Sequence, residues 1–555
     1  MSLRDLEKQN QFHSVDPDRR PSSQSHSLCN CGEKVEEQGL HALNSSALCS
    51  TTSRRQIYTT LQPTRSHLTC LSDDAAPDST PSQHASADHA KYEVGWDGED
   101  DLWNPRNMHM ARKWLITFTM ALCSMCVTCT SSLYTMTYNQ MDKEFGNSRI
   151  VATLGLSLFV FGLGLSPMVL GPLSEFYGRR PIYIGAFIFF TIWLIPCAVA
   201  PNIETMLVAR FFDGLSGSAF LSVAGGTIGD MFSQSQLQAP MMVYTASPFI
   251  GPGLGPIIGG FINYFLNWRW SFYILLIWSG LMLAAIMFLI PETYHPVLLR
   301  NKARKLRKET GDDNYKAPIE IMDRSIARTV IRSLYRPFLL LVLDPMCLNL
   351  CLFSSILLGI LYLFFGAFNL VFTKVHGFNL YQIGLSFFGL LVGMLLAIAS
   401  DPLWQRNYLR LVRNNSNKSE PEYRLPPSIG GAVLTVIGLF WFAWTIHPSI
   451  HWIVPIIGSG FFGAGTVLVF SGVFTFLVEA FPLYAASGLA ANSFARSSFA
   501  ALFPLFALQL YNKLGYQWAS SLLAFLTLVM APFPYIFFLY GGRLRQKSRF
   551  ASTGN

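Results

Sequence analysis

Twelve long apolar runs, separated by short polar connections, constrain this chain more than any other feature. The runs cover residues 114–134, 151–170, 182–199, 204–228, 239–262, 272–290, 346–371, 383–399, 429–446, 452–478, 484–510 and 518–540. An α-helix needs about 20 apolar residues to cross the hydrocarbon core of a bilayer. Only 13% of the residues are charged, about half the share found in soluble domains. The sequence therefore predicts an all-α membrane protein with 12 transmembrane helices.

The runs fall into two sets of six with a basic polar segment between them. We expect five regions along the chain: a disordered tail at 1–100, an amino-terminal six-helix lobe at 101–291, a basic loop at 292–337, a carboxyl-terminal six-helix lobe at 338–541 and a short tail at 542–555. The first region is rich in Ser, Thr, Asp and His and has little apolar periodicity, which is typical of disorder. Two matching six-helix halves indicate a two-lobed transporter with a binding site near the midplane of the membrane.

Lys and Arg residues concentrate on alternate connections between the runs, and this pattern predicts the orientation of the chain. They are abundant before the first run, after the second and eighth, in the middle segment and at the carboxyl terminus, and scarce elsewhere. Positive charge marks the cytoplasmic side of a membrane protein, so both termini and the middle loop should be cytoplasmic. The basic cluster at 300–308 should lie near anionic lipid and not bind nucleic acid. No apolar core follows a basic start, so we expect no cleavable signal peptide.

A charged turn joins the second and third runs. Its distinctive residues are Gly171, Glu175, Gly178, Arg179 and Arg180. A carboxylate and a guanidinium at such a junction could form a conformational latch, in which Glu175 pairs with the two arginines. A tight turn with positive cytoplasmic charge would explain the same residues, and the sequence leaves both interpretations open. A weaker counterpart, Asp401 and Arg406, follows the eighth run.

Charged residues also occur inside two of the runs. Arg210 and Asp213 are three residues apart and share one helical face. Charges within a membrane span are costly and mark ion or substrate pathways, which indicates proton coupling or substrate contact. Alternatively, Arg210 could extend its side chain to the outer surface. Arg496 lies near the middle of the eleventh run without an acidic neighbour, and its partner could be a helix or substrate carbonyl, or Asp213.

The fifth run is dense in glycine and proline. The residues concerned are Gly251, Pro252, Gly255, Pro256, Gly259 and Gly260. Glycines at four-residue intervals form a groove that permits close helix contact, and prolines bend a helix and free its carbonyl groups. The motif is therefore either a hinge between the halves or a static packing surface.

Polar and aromatic residues within the runs are candidates for lining a transport cavity. They are Tyr134, Tyr244, Tyr362, Phe365, Asn369 and Arg496. The spaced cysteines Cys123, Cys126 and Cys129 have no neighbouring His or carboxylate, so we interpret them as packing residues. The chain has no phosphate-binding loop and no protease or hydrolase motif. We therefore predict no enzyme activity, no cofactor and no metal site.

With these residues laid out, residues 95–545 resemble the major facilitator superfamily, and in particular its fungal drug:proton antiporters with 12 spans. The charged turn is similar to motif A of that family, although Phe176 stands where a basic residue is usual. Leu207, Arg210 and Gly214 resemble motif B. The glycine- and proline-rich run resembles motif C, which marks antiporters, and Pro291 opens a sequence similar to one that follows the sixth span in these pumps.

The resemblance implies export of amphiphilic small molecules, such as drugs, fungicides or toxic secondary metabolites, driven by inward proton flow. It implies a latch at motif A and proton coupling at Arg210. We expect a monomer in the plasma membrane, surrounded by lipid, whose partners are small-molecule substrates and protons. A polyamine or nutrient transporter of the same fold, or a membrane sensor that does not transport, remains the alternative.

Overall fold

A computed structural model describes residues 93–98, 101, 103–233, 236–321, 326–416 and 418–548 as helices joined by short connections. Within these residues, the only β-type pairing is an isolated bridge between Glu93 and Lys316. The predicted disordered tail lies outside the described residues except at 93–98, and the carboxyl-terminal tail lies outside them from residue 549 onward.

Twelve helical spans correspond to the twelve apolar runs. In the first set, span one is Met110–Leu133, span two is Arg149–Leu165 with Pro167–Tyr177, span three is Arg179–Ala198, span four is Ile203–Gly217 with Ala219–Ser222 and Ala224–Met231, span five is Gln238–Phe265, and span six is Arg269–Leu289. In the second set, span seven is Pro345–His376, span eight is Leu380–Ala399, span nine is Pro426–Thr445, span ten is Ile453–Ala480, span eleven is Ala485–Leu514, and span twelve is Tyr516–Met530 with Pro532–Lys547.

Most of these helices satisfy the physical requirements of a membrane span. Within the described part of the chain, 10 helices are long and apolar enough, or 11 if span two, whose halves meet at 40°, counts as one span. Span two bends before Pro167, since proline lacks the N–H that would continue the helix. Span five has 28 residues, but three internal prolines and several glycines lower its mean hydropathy. The fold is therefore all-α with twelve spans.

Local sequence sets where several spans begin and end. Asp344 caps span seven, because its carboxylate accepts a 2.8 Å hydrogen bond from the Cys347 N–H, and Pro345 occupies the first helical position. Asn202 caps span four in the same way. Span seven ends at His376, and the next residue, Gly377, has a φ of 66° in the left-handed region that glycine adopts without strain.

The two sets of spans meet along two seams. Span two packs against span eleven, and span five packs against span eight. Glycine allows both contacts: a Cβ atom on Gly164 would collide with Ser497, and one on Gly384 would lie 2.5 Å from the Pro256 carbonyl oxygen. The backbones of the two lobes therefore come closer than larger residues would allow.

A short segment before span one is attached to the polar region that follows span six. That region begins with a helix, His295–Thr310, which we call the connector helix. The Val94 N–H donates a 3.0 Å hydrogen bond to the Lys316 carbonyl, and the Val94 side chain is buried against Ala303. We call this contact the amino-terminal clasp. Part of the tail that is predicted to be disordered thus makes defined contacts, at residues 93–98.

Lys302 of the connector helix holds the clasp together. Its Nζ atom lies 2.7 Å from the Asp101 carboxylate, 2.8 Å from the Asp97 carboxylate and 3.0 Å from the Gly95 carbonyl oxygen. The hydrogen bond from Lys302 lowers the pKa of Asp101 from 3.8 to about 2. Burial opposes the charged form of Lys302, yet hydrogen bonds to both aspartates raise its pKa.

The Asp101→Asn change should open the clasp, whereas Asp97→Asn should leave it closed. The Asp101 side chain is 4% exposed and that of Asp97 is 80% exposed, and exposed ion pairs contribute little. A hydrogen bond between charged groups contributes about 1.5–3 kcal/mol. Hydrogen exchange at the Val94 amide should therefore be at least about tenfold faster in the Asp101→Asn variant than in the wild-type protein, and unchanged in the Asp97→Asn variant. Equal exchange in the two variants would contradict the assignment.

The clasp should also respond to acid in a defined window. The folded-state pKa of Asp101 is lowered, so its contribution to stability is present above the unfolded value of 3.8. That contribution is lost as the pH falls through the folded value of about 2. Protection of the Val94 amide should persist at pH 4 in the wild-type protein and be lost as the pH falls from 3.8 to about 2. Loss of protection above pH 4 would contradict this account.

Candidate functional site

Arg210 and Asp213 form an ion pair in the interior of the amino-terminal lobe. Both side chains are fully buried, and Arg210 Nη1 lies 3.2 Å from Asp213 Oδ2. Arg210 Nη2 donates a 3.2 Å hydrogen bond to the Thr130 carbonyl of span one. The guanidinium carbon also lies 4.1 Å from the ring centre of Phe159 and 4.6 Å from that of Tyr134. The alternative in which Arg210 extends to the outer surface is therefore wrong.

The pair is incompletely satisfied. Arg210 Nε and Asp213 Oδ1 are buried and have no hydrogen-bond partner within the described residues. Burying unpaired polar atoms is costly, so these two atoms mark a site where a proton or a ligand atom would be stabilised. Gly214 makes the arrangement possible, because a Cβ atom there would collide with the Phe159 backbone.

The charged turn between spans two and three folds around a carboxylate from elsewhere. Gly178 has a φ of 100°, and the backbone N–H groups of Arg179 and Arg180 donate to Glu292 at 2.9 and 3.1 Å. The Arg179 side chain donates to Ser174 Oγ at 2.7 Å. This side chain also lies 3.4 Å from the Asp230 carboxylate and stacks on Tyr294.

Glu175 does not take part in this cluster. It is exposed, and within the described residues it forms no ion pair. The reason is helical geometry: Ser174 faces Arg179, and the next residue along the helix points about 100° away. The carboxylates that contact the turn are Asp230 and Glu292, at the ends of spans four and six. Each of these two acids directly follows an apolar run. This position is the sequence signal that could have identified them as partners of the turn.

The carboxyl-terminal lobe has a related cluster at equivalent places. Arg424, before span nine, lies 2.7 Å from Glu479 at the end of span ten. Glu422 accepts two hydrogen bonds from Arg545 at the end of span twelve, at 2.7 and 2.9 Å. The structure therefore builds the counterpart of the charged turn here and not from Asp401 and Arg406. Its polarity is partly inverted, because the turn supplies Glu422 and the final helix supplies the arginine.

The glycines of span five serve two interfaces. A Cβ atom on Gly251 or Gly255 would collide with Thr128 or Ser132 of span one. One on Gly260 would lie 3.0 Å from the Leu380 carbonyl oxygen of span eight. The helix remains continuous through Pro252 and Pro256. The glycine- and proline-rich motif, including Gly259, packs tightly in this conformation. Its function as a hinge remains a prediction.

The structure brings some of the predicted cavity residues together at the boundary between the lobes. The hydroxyl groups of Tyr362, in span seven, and Ser131, in span one, are hydrogen-bonded to each other at 3.0 Å. The ring of Phe365 lies 5.1 Å from that of Tyr362. Arg496 lies over the rings of Phe470 and Phe474 in span ten. Asp213 is not its partner, since that carboxylate binds Arg210.

Other predicted cavity residues lie elsewhere. Tyr134 donates a 3.0 Å hydrogen bond to the Ala152 carbonyl, and Tyr244 donates a 2.8 Å hydrogen bond to the Phe220 carbonyl. Both hydroxyl groups are therefore bound within the amino-terminal lobe. Asn369 is half-buried and accepts a long hydrogen bond from Thr373 one turn later.

Comparisons with known proteins decide the family. The protein-family model described as Major Facilitator Superfamily matches residues 120–504 of this chain. This chain belongs to the major facilitator superfamily. Within the superfamily it is 59% identical over 492 residues to "Efflux pump atB" of Aspergillus terreus, covering 87% of this chain and 95% of that protein. It is 42% identical over 458 residues to "Probable drug/proton antiporter YHK8" of Saccharomyces cerevisiae, covering 81% and 89% of the two chains.

A solved structure supports the major facilitator fold. The xylose transporter XylE from E. coli, in a partially occluded inward-open conformation, matches with a TM-score of 0.55. The match covers 77% of this chain and 99% of that one at 16% identity, so it bears on the fold alone. The resemblance and the two-lobed, twelve-helix fold predicted from the sequence are confirmed, and this superfamily member is a multi-pass membrane transporter.

The Gly178→Ala change should destabilise the protein, whereas Gly171→Ala should not. A Cβ atom on Gly178 would be strained at its φ of 100° and would collide with the Glu292 carboxylate. No atom of the described residues lies within 4 Å of a Cβ on Gly171. We expect Gly178→Ala to lower the free energy of unfolding by about 1–3 kcal/mol, measured as a lower midpoint of thermal unfolding in detergent. Equal midpoints for the two variants would contradict a role of the turn in stability.

Proposed function

We propose that this transporter is a proton-coupled antiporter that exports amphiphilic small organic molecules, such as drugs, fungicides or toxic secondary metabolites, by alternating access. The observation that carries the proposal is the buried ion pair of Arg210 and Asp213, in which one Asp213 oxygen has no partner among the described residues. A buried carboxylate beside a cation can gain and lose a proton as its surroundings change. The names of the two relatives, an efflux pump and a drug/proton antiporter, support the direction of transport and the coupling ion.

Span one connects the Arg210–Asp213 ion pair to the boundary between the lobes. Arg210 donates to the Thr130 carbonyl, and the next residue, Ser131, is hydrogen-bonded to Tyr362 of the other lobe. Protonation of Asp213 removes the charge that holds Arg210, so Arg210 can shift relative to span one. A shift of span one then alters the contact between Ser131 and Tyr362. Proton binding and lobe movement are coupled through two consecutive residues.

The charge clusters at the ends of the spans act as latches in this proposal. Arg179 contacts Asp230, Glu292 and Ser174 and so joins the inner ends of spans two, three, four and six. In the other lobe, Arg424 and Glu479 join spans nine and ten. The distribution of Lys and Arg supports an orientation in which both clusters and both termini are cytoplasmic. We assign the protein to the plasma membrane as a monomer.

The Asp213→Asn change should uncouple export from the proton gradient. Asparagine has nearly the same shape and can still accept a hydrogen bond from Arg210, but it cannot take up a proton. In vesicles that contain the protein, an imposed pH gradient should stimulate transport of a fluorescent drug by the wild type at least about tenfold more than by the variant. Glu204→Gln is the matched control, because Glu204 is an exposed carboxylate at the start of the same span.

Three results would contradict the proposal. A wild-type protein that transports no drug would favour the sensor or a nutrient transporter. Drug transport that ignores the pH gradient would exclude antiport. Unchanged coupling in Asp213→Asn would remove Asp213 from the proton pathway.

A further inference from the structure

An arginine and three phenylalanine rings meet at the boundary between the two lobes. Arg496 of span eleven lies 5.4 Å from the ring centre of Phe470 and 5.2 Å from that of Phe474, both in span ten. Phe249 of span five stacks on Phe470, with ring centres 5.4 Å apart and an interplanar angle of 21°. We call these four residues the arginine–phenylalanine cluster.

The cluster lies deep within the membrane. Phe249, Phe470 and Arg496 are each about 10 residues from the end of their span nearest the charged turns, which at 1.5 Å per residue corresponds to about 15 Å. This is about half of the 30 Å hydrocarbon core. The cluster is thus at the level where transporters of this architecture bind their substrates, and it includes residues of both lobes.

Arg496 places a positive charge in the cluster. Arg496 Nε is buried and has no hydrogen-bond partner within the described residues, and no carboxylate forms an ion pair with Arg496 there. The other charged residues in the interior of the described spans, Arg210 and Asp213, bind each other. An unpaired guanidinium at this depth is costly and would be stabilised by an anionic ligand.

A second unpaired polar atom lies one helical turn away. Asn492 precedes Arg496 by four residues and therefore shares its face of span eleven. Its amide nitrogen donates a 2.7 Å hydrogen bond to Ser354 Oγ, whereas its Oδ1 atom is buried without a partner in the described structure. The same face thus presents an unused donor on Arg496 and an unused acceptor on Asn492.

We propose that the arginine–phenylalanine cluster is a substrate subsite that selects planar molecules with an anionic oxygen, such as a ring carboxylate or an acidic enol. A guanidinium binds a carboxylate through charge-assisted hydrogen bonds, and phenylalanine faces stack on a flat ring. The free acceptor of Asn492 suits a hydroxyl group beside the anionic oxygen, and the same positive charge disfavours cationic drugs. This inference rests on the proposed export function and narrows its substrate class.

Binding to the purified protein tests the subsite without requiring transport. The probes are 2-hydroxybenzoate and its neutral analogue 2-hydroxybenzamide, measured by quenching of tryptophan fluorescence. The wild type should bind the carboxylate about tenfold more tightly than the amide. Arg496→Gln should remove this preference and keep the affinity for the amide, which also shows that the variant is folded. Arg496→Lys should keep part of the preference.

Matched controls separate this site from general effects. Arg413→Gln removes an exposed arginine and should leave the preference unchanged. Phe474→Leu should weaken binding of both probes, whereas Phe288→Leu, at a side chain that is 84% exposed, should weaken neither. A wild type without preference for the carboxylate, or an Arg496→Gln variant that keeps the preference, would overturn the subsite.

Failure of the subsite can be distinguished from failure of the proposed function. If the carboxylate preference depends on Arg496 but no probe is transported in response to a pH gradient, the subsite stands and the export function fails. If transport is driven by protons but Arg496→Gln keeps the preference for the carboxylate, the export function stands and the subsite fails.

Discussion

The ion pair between Arg210 and Asp213 is the interaction around which the amino-terminal lobe is arranged. Two charges at this depth persist only where hydrogen bonds and aromatic faces replace water. The lobe supplies the Thr130 carbonyl and the rings of Phe159 and Tyr134, and these contacts draw spans one, two and four together. Among the residues that the structure describes, the same pair remains one hydrogen bond short on each partner, and in our proposal this lets it respond to a proton.

The second lobe places its interior charge differently. Arg496 has phenyl rings around it in place of a carboxylate. One lobe therefore contains a neutralised pair, and the other contains a cation that has no ion-pair partner in the described part of the chain. In our proposals the two sites have different functions: protons bind at the Arg210–Asp213 pair, and substrates bind at Arg496. Ser131 and Tyr362 connect the two halves between these sites.

Sequence reasoning predicted the elements better than the contacts between them. Apolar length and helix caps give the spans because they are local properties, as the Asp344 cap illustrates. The partner of Arg179 could not be read in the same way, since Asp230 and Glu292 are distant in sequence and only the packing of spans four and six brings them to the turn. Glu175 was the nearest acid in the sequence, but the helix directs it outward.

The seam between spans five and eight has a mechanical consequence. Gly260 and Gly384 place backbone against backbone, so at this point of the seam no side chains interlock. If the lobes rotate as we propose, the two spans can slide past each other at this point without side chains that must first disengage. The residues that would permit movement are then different from the residues that would select the substrate. Substrate preference can therefore diversify within this fold while the moving parts stay the same.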